Sequence, residues 1–326
     1  MYKAYFGLSE LPFSIAPDPS YLYMSDKHRE ALAHLIYGVG DQGGFVVLTG
    51  EVGTGKTTVC RSVLQQLPDN ANIAFIINPR QSINQLLQSI FSELNIPYRE
   101  GMTSKAMIDR LNGYLLGAHA QGRNTILIID EAQNLSVDIL EQLRLLTNLE
   151  TDEKKLLQLV LLGQPELNDI LARDDMRQLA QRITARHHLS PLSKAEVAEY
   201  IQHRLSVAQC HSEIFSRAAI NKIYKFSGGV PRLINLLCDR CMLGVYSNNA
   251  AIVDGRVVNK AAKEIFSQYK IKKSWPKPLL FASALAVIIL LLTFLFKNNY
   301  LALTIGNADV SKATEKSQQV DRVEAL

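Results

Sequence analysis

Eight residues, "GEVGTGKT" from Gly50 to Thr57, fit the pattern G-x-x-x-x-G-K-[ST] in full. The chemistry that such a string serves is the grip on a chain of phosphates. Gly50, Gly53 and Gly55, with Glu51, Val52 and Thr54 between them, let successive backbone N–H groups curl around phosphate oxygens. Lys56 would neutralise the β and γ charge and the Thr57 hydroxyl would ligate Mg²⁺, with Thr58 next to it at the end of the cradle. Such a site also needs an acid for the metal, and "ILIIDE" offers two. Asp130 would hold Mg²⁺ through water, and Glu131 would orient and deprotonate the attacking water. Gln164, ending "LVLLGQPEL", either reaches the γ-phosphate or lytic water, or serves the turn before Pro165. Arg182 and Arg186 in "LAQRITARHHLSPL" either project into a neighbouring subunit's nucleotide or close a surface helix in salt bridges. Arg232 in "SGGVPRL" either reports the γ-phosphate from a second domain or packs its aliphatic stem.

These residues need a particular scaffold. "GGFVVLTG" reads as a short apolar strand that runs into the Gly-rich turn, and a helix follows from Lys56 to about Leu67, ended by Pro68. The alternation continues with a strand over 72–78, helices over 82–95 and 104–122, the "DE" strand from 124, a helix over 137–150 and a strand within 155–167. Strands without polar alternation, each followed by helix, predict a parallel sheet covered on both faces. Ligands of such sheets bind at the carboxyl ends of the strands, where the cradle and Asp130 lie. After Pro191 the strands stop. "SKAEVAEYIQHRLSVA" opens with a capping box, Ser193 and Glu196, and "VPRLINLLCDRCMLGVYS" opens with Pro at a helix start. Residues 192–268 therefore read as an all-helical domain, and 1–191 as the nucleotide-binding core with an irregular N-terminal arm rich in Pro and aromatics.

At this point the motifs resemble a family. The order of cradle, "DE", Gln-ended strand, arginine pair and helical domain with "GVPR" resembles the AAA+ ATPases. More narrowly, "PFSIAPDPSYLYMSDKHREALAHLIYGV", "DEAQNL", "LLGQPEL" and "SGGVPRLINLLCDRCML" look like the ExeA/GspA type of secretion ATPase, including those that serve mannose-sensitive haemagglutinin pilus biogenesis. The resemblance covers residues 1–268. It implies a P-loop AAA+ α/β fold whose "DE" strand is separated from the cradle strand, a helical lid, ATP and Mg²⁺ as cofactors, and a homo-oligomeric ring such as a hexamer. It gives Lys56, Thr57, Asp130 and Glu131 the roles above, with Gln164 as first sensor and Arg232 as second. Its partners would be inner-membrane pilus or secretion assembly proteins, and nucleic acid is not expected. Longer members carry a periplasmic domain that binds peptidoglycan. The stretch of about 30 residues after Phe296 is too short for such a domain, so no cell-wall module is expected.

The remaining signals concern location. The chain has 326 residues, 47% hydrophobic and 20% charged, with a net charge of +4 that neither requires nor excludes nucleic acid. Sparse cysteines at 60, 210, 238 and 241 indicate reduced thiols rather than a disulfide framework. Cys238 and Cys241 lie in a packed-helix pattern and read as core residues. His187 and His188, adjacent on a strand, would face opposite sides and not share a metal. Residues 279–296 carry no charge, and at 1.5 Å per residue they span about 27 Å, close to the hydrocarbon thickness of a bilayer. The lysine-rich 269–278 precedes this predicted membrane helix, which puts 1–277 in the cytoplasm and a short, polar tail, 297–326, outside. A soluble AAA+ ATPase that remodels DNA in transposition and an ATP-dependent scaffold without turnover are the rival readings.

Overall fold

In the computed structural model, residues 2–266 are described, apart from 17, 41–43, 69, 78 and 150–154. The juxtamembrane stretch, the predicted membrane helix and the tail lie outside the described residues. Among the described residues, no helix is long and apolar enough to cross a membrane.

Five strands, β1 (Phe45–Gly50), β2 (Asn72–Ile76), β3 (Thr125–Ile129), β4 (Leu157–Gly163) and β5 (Ile183–Leu189), form one parallel sheet in the order β2-β3-β4-β1-β5. β4 thus stands between the cradle strand β1 and the "DE" strand β3, with Thr49 opposite Gly163 and Ile129 opposite Leu161.

Alternate residues of each central strand enter opposite cores. Phe45, Val47, Leu127, Ile129, Leu159 and Leu161 face a cluster completed by α4 (Ile83–Glu93), α5 (Ser104–Ala120), α6 (Val137–Leu146), α7 (Glu166–Leu171) and α8 (Arg177–Ala180). Val46, Leu48, Ile126, Ile128, Val160 and Leu162 face α2 (Asp26–Val39) and α3 (Lys56–Leu64). With each such side chain worth ~1.5–3 kcal/mol on burial, this two-sided packing fixes the sheet and hence the strand tips that carry the site.

In this segment the sequence predicts a strand only at His187 and His188 and offers a surface helix end as the alternative place for Arg182 and Arg186, whereas β5 runs from Ile183 to Leu189 and puts Arg186 in mid-strand. Its burial alternates between half-exposed or exposed and buried residues, because it is a sheet edge; the edge position replaces the apolar run of a central strand with "ITARHHL".

Helices α9 (Lys194–Val207), α10 (Arg217–Ser227), α11 (Pro231–Ser247) and α12 (Gly255–Phe266) form a third core. Local chemistry sets their ends. Ser193 and Glu196 close a reciprocal capping box on α9, Pro231 opens α11, and Gly228 ends α10 in a left-handed conformation at φ 59°. Cys238 and Cys241 are fully buried in this core, and burial pushes the Cys241 thiol up to about 12.

The N-terminal arm, grouped with the nucleotide-binding core by sequence, contributes Tyr2, Leu8 and Phe13 to this helical core. Its first turn, α1 (Tyr2–Tyr5), docks on α11 through a hydrogen bond from Tyr2 to Asp239. The described residues fall in one compact unit.

Candidate functional site

The cradle lies between the end of β1 and the start of α3. Gly53 and Gly55 adopt φ +84° and +105°, conformations that side chains resist. Space forbids a side chain at Gly53 as well: a Cβ there would sit 2.5 Å from Cβ of Arg232. Lys56 is buried, and its Nζ donates to the carbonyls of Gly50 (2.8 Å) and Glu51 (3.1 Å). Burial holds its pKa below the ordinary lysine value, with Glu131, Asp130 and Glu51 acting in the opposite sense. Thr54 turns its hydroxyl inward to the Glu51 carbonyl at 2.9 Å.

Sequence positions 73 residues apart meet at the metal corner, where the Thr57 hydroxyl donates to Asp130 Oδ2 at 2.7 Å. Asp130 is buried, and its Oδ1 accepts the backbone N–H of Glu131 at 2.9 Å. Glu131 takes a left-handed conformation, φ 54° and ψ 37°, rare for a residue with a side chain and costing on the order of 1–3 kcal/mol. That turn aims its carboxylate into the cleft rather than along the strand. One carboxylate oxygen, Oε2, accepts from Gln133 Nε2 at 2.6 Å and from Gln164 Nε2 at 3.0 Å. Gln133 Oε1 in turn accepts the backbone N–H of Gln164 at 3.0 Å. Burial alone would raise the Glu131 pKa; the two amides and the Lys56 charge outweigh it and hold the carboxyl below its ordinary value.

The cleft holds about 220 Å³ and is roofed by the arm, α9 and α11. Arg232 lines it, and its backbone N–H donates to the Gly53 carbonyl at 3.2 Å, so the first turn of α11 rests on the cradle. His28, in the first turn of α2, stands beneath the loop; its Nδ1 lies 2.6 Å from Ser25 Oγ, and a Cβ on Gly55 would meet its Nε2 at 3.3 Å. The arm is fastened by buried Arg204, which donates to the carbonyls of Pro12 and Ser14 and to the Tyr200 hydroxyl (2.8 Å). The Arg204 guanidinium also lies 4.6 Å from the Tyr21 ring centroid. Tyr200 donates to Asn235 on α11 at 2.8 Å, and Asn235 donates to Ser14 at 3.3 Å.

The structure therefore brings Gly50–Thr58, Asp130, Glu131, Gln164 and Arg232 to one end of the sheet. It does not bring Arg182 and Arg186 there. Arg182 precedes β5 at the opposite end of the sheet, and its Nη1 donates to the Arg144 carbonyl and Thr147 hydroxyl at 3.4 and 3.5 Å. Arg186 is exposed in mid-strand, opposite Val47, with Nη2 3.4 Å from the Ala180 carbonyl.

Sequence reasoning missed Gln133, His28, Arg204, Tyr200 and Asn235. Gln133 had a signal, an amide two residues after a strand-end acid. The other four are specified by contacts between segments distant in sequence.

The residues fit Mg²⁺ and a nucleoside triphosphate: a buried ammonium held only by loop carbonyls stands beside a hydroxyl–carboxylate pair. Residues 39–171 match the AAA domain family. The chain is 50% identical over 289 residues to general secretion pathway protein A of Aeromonas hydrophila, across 89% of this chain and 53% of that protein. It is 30% identical over 158 residues to the ATP-dependent target DNA activator B of Escherichia phage Mu, 46% of each chain. It thus spans about half the length of the curated relatives it matches. Among solved structures, Cdc6p from Pyrobaculum aerophilum superimposes with a TM-score of 0.62 at 20% identity, over 81% of this chain and 74% of that one. The Aeropyrum pernix ORC1 protein in complex with DNA gives 0.59 at 16%, over 78% and 69%. At such identities these two show a shared fold.

Proposed function

We propose that the chain, whose residues 39–171 match the AAA domain family and which is similar to general secretion pathway protein A over most of its own length, is a Mg²⁺-dependent AAA+ ATPase of a secretion or type IV pilus assembly machine. The observation that carries the reading is the Thr57–Asp130 hydrogen bond of 2.7 Å, with buried Lys56 on one side and the Glu131 carboxylate on the other. Bound Mg²⁺·ATP supplies the phosphoryl group that is transferred to water. Lys56, now held by two loop carbonyls, would neutralise the phosphate charge, and Thr57 and Asp130 would hold the metal. Glu131 accepts the proton of the attacking water, while Gln133 and Gln164 hold its carboxylate in the ionised form that can accept it. Gln164 stands as first sensor and Arg232 as second.

Arg182 and Arg186 lie away from their own chain's cleft, which supports a finger role toward a neighbouring subunit in a ring. The finer assignments, a mannose-sensitive haemagglutinin pilus as the machine, residues 279–296 as a single inner-membrane span and 297–326 as an outer tail, rest on the sequence. The similarity to the phage Mu activator favours a second reading, ATP-dependent DNA binding.

Phosphate release decides the first point. Lys56→Ala should lose tight nucleotide binding, whereas Glu131→Gln should keep binding and lose turnover by ~10²-fold or more. Full turnover in Glu131→Gln removes that residue from the role, and no turnover in the unmodified chain, with binding intact, makes the protein a scaffold. Stimulation of hydrolysis by duplex DNA would favour the second reading. Capture of envelope assembly proteins by membrane-bound Glu131→Gln would favour the first.

A further inference from the structure

Helix α2 packs across the edge strand β5, and this brings together three side chains of metal-ligating types from two segments distant in sequence. Glu30 and His34, four residues apart, share one face of α2, and His187 meets them from β5. One ligand atom from each lies within 4.8 Å of the other two. Imidazole and carboxylate groups are the donors that suit zinc, nickel and cobalt, and three protein ligands leave room for water or a further ligand.

His187 shows that the cluster is more than crowded surface. Its side chain is 9% exposed, and its Nε2 is buried without a hydrogen-bond partner. Buried polar atoms are normally paired, so an orphan here calls for a ligand or a cost. Its Nδ1 stands 3.9 Å from Glu30 Oε1, and its ring stacks on that of His34 with centroids 5.3 Å apart and planes 28° from parallel. Two imidazoles face to face beside one carboxylate repel each other if both are protonated and cooperate if both are neutral donors. His188 is occupied elsewhere, its Nδ1 lying 3.1 Å from Thr49 Oγ1. Around an ion with bonds of about 2.1 Å, tetrahedral ligand atoms stand roughly 3.4 Å apart, a closure of up to about 1.4 Å that the exposed Glu30 side chain and ring rotations can supply.

We propose that Glu30, His34 and His187 form a binding site for a divalent transition metal ion of the zinc class, which ties helix α2 to the edge strand β5. The tie matters because α2 carries His28 under the cradle at its N-terminal end. The site is separate from the Mg²⁺ corner at Thr57 and Asp130.

The test uses tag-free full-length protein, stripped with chelator and free of nucleotide. Zn²⁺ affinity is measured by competition with a chromophoric chelator, and Co²⁺ serves as the spectroscopic probe. One ion per chain is expected, with a rise in melting temperature. His187→Asn and His34→Gln should weaken binding by about 100-fold or more, and Glu30→Gln by about tenfold, since even outer-shell changes cost 10–100-fold. Asp130→Asn should leave this binding unchanged. If His187→Asn fails to fold, Glu30→Gln and His34→Gln, at the solvent-facing side, carry the test alone. No ion bound by the unmodified chain, equal affinity in the three ligand variants, or loss of binding in Asp130→Asn would overturn the proposal.

Discussion

Replacing Arg204 by Met tests whether the arm, rather than the cradle alone, completes the cleft. The side chain is 5% exposed and makes three hydrogen bonds, two of them to arm carbonyls. Methionine keeps the apolar stem and removes every donor. Ser14 keeps Asn235 as a partner, but the Pro12 carbonyl loses its donor, which costs about 1–3 kcal/mol for a buried acceptor. The stacking on Tyr21 and Tyr200 removes a further ~0.5–2 kcal/mol. Relief from burying a charge returns part of this, leaving a net loss of roughly 2–4 kcal/mol. Urea unfolding followed by circular dichroism should show a lower midpoint at unchanged slope. The arm should become the first site of proteolysis, and nucleotide affinity should fall with it, because Ser14, Ile15, Ala16, Asp18, Tyr21 and Tyr23 line the cleft. A midpoint within the error of the unmodified protein, with the arm equally resistant, would refute the reasoning.

Gln133→Leu removes the shorter of the two bonds to Glu131. Because that bond lowers the pKa, the acid limb of turnover should move to higher pH, while in the unmodified protein it stays below the ordinary carboxyl range. The same sign applies to stability: Glu131 contributes above its unfolded pKa and loses that contribution as pH falls through the folded one, and superimposable acid limbs would exclude the clamp. Gly53→Ala combines φ +84° with a Cβ 2.5 Å from Arg232, so strain of ~1–3 kcal/mol should weaken fluorescent-nucleotide binding about tenfold. Arg186→Ala should lower turnover without altering the melting temperature, whereas Arg182→Ala should lower both, since Arg182 also holds the end of α6. Mixing either with Lys56→Ala should restore part of the activity, and activity per subunit that stays constant on dilution would reject a finger acting between subunits.

What the sequence discloses follows from how local each feature is. The cradle is legible because all its groups lie in one unbroken string whose glycines and lysine have one joint use. Asp130 and Glu131 are legible because an apolar run that stops at two acids identifies a central strand tip. Gln133 is hidden because its partner Gln164 lies 31 residues on, and because the left-handed turn at Glu131 decides which side chain it meets. The Arg204 fastening spans 192 residues to Pro12, beyond any periodicity. β5 is legible only at His187 and His188, because an edge strand with Thr184, Arg186 and His188 outward lacks the continuous apolar run of its neighbours. The sequence pairs His187 only with its neighbour, which faces the other way; Glu30 and His34 approach it from α2 instead.

The contact between the Gly53 carbonyl and the Arg232 backbone places a pivot at the start of α11. That helix has 17 residues, so by the 1.5 Å rise its far end lies about 25 Å from the pivot. A tilt of about 10° at the cradle, driven by exchange of triphosphate for diphosphate, would swing Ser247 through roughly 4 Å by the same rise per residue. In such a tilt α11 would act as a stiff arm, carrying a small displacement at the cradle to a surface that an attached protein could feel. Its stiffness comes from the core it shares with α10 and α12, so softening that core with small side chains would leave chemistry intact while uncoupling it from work.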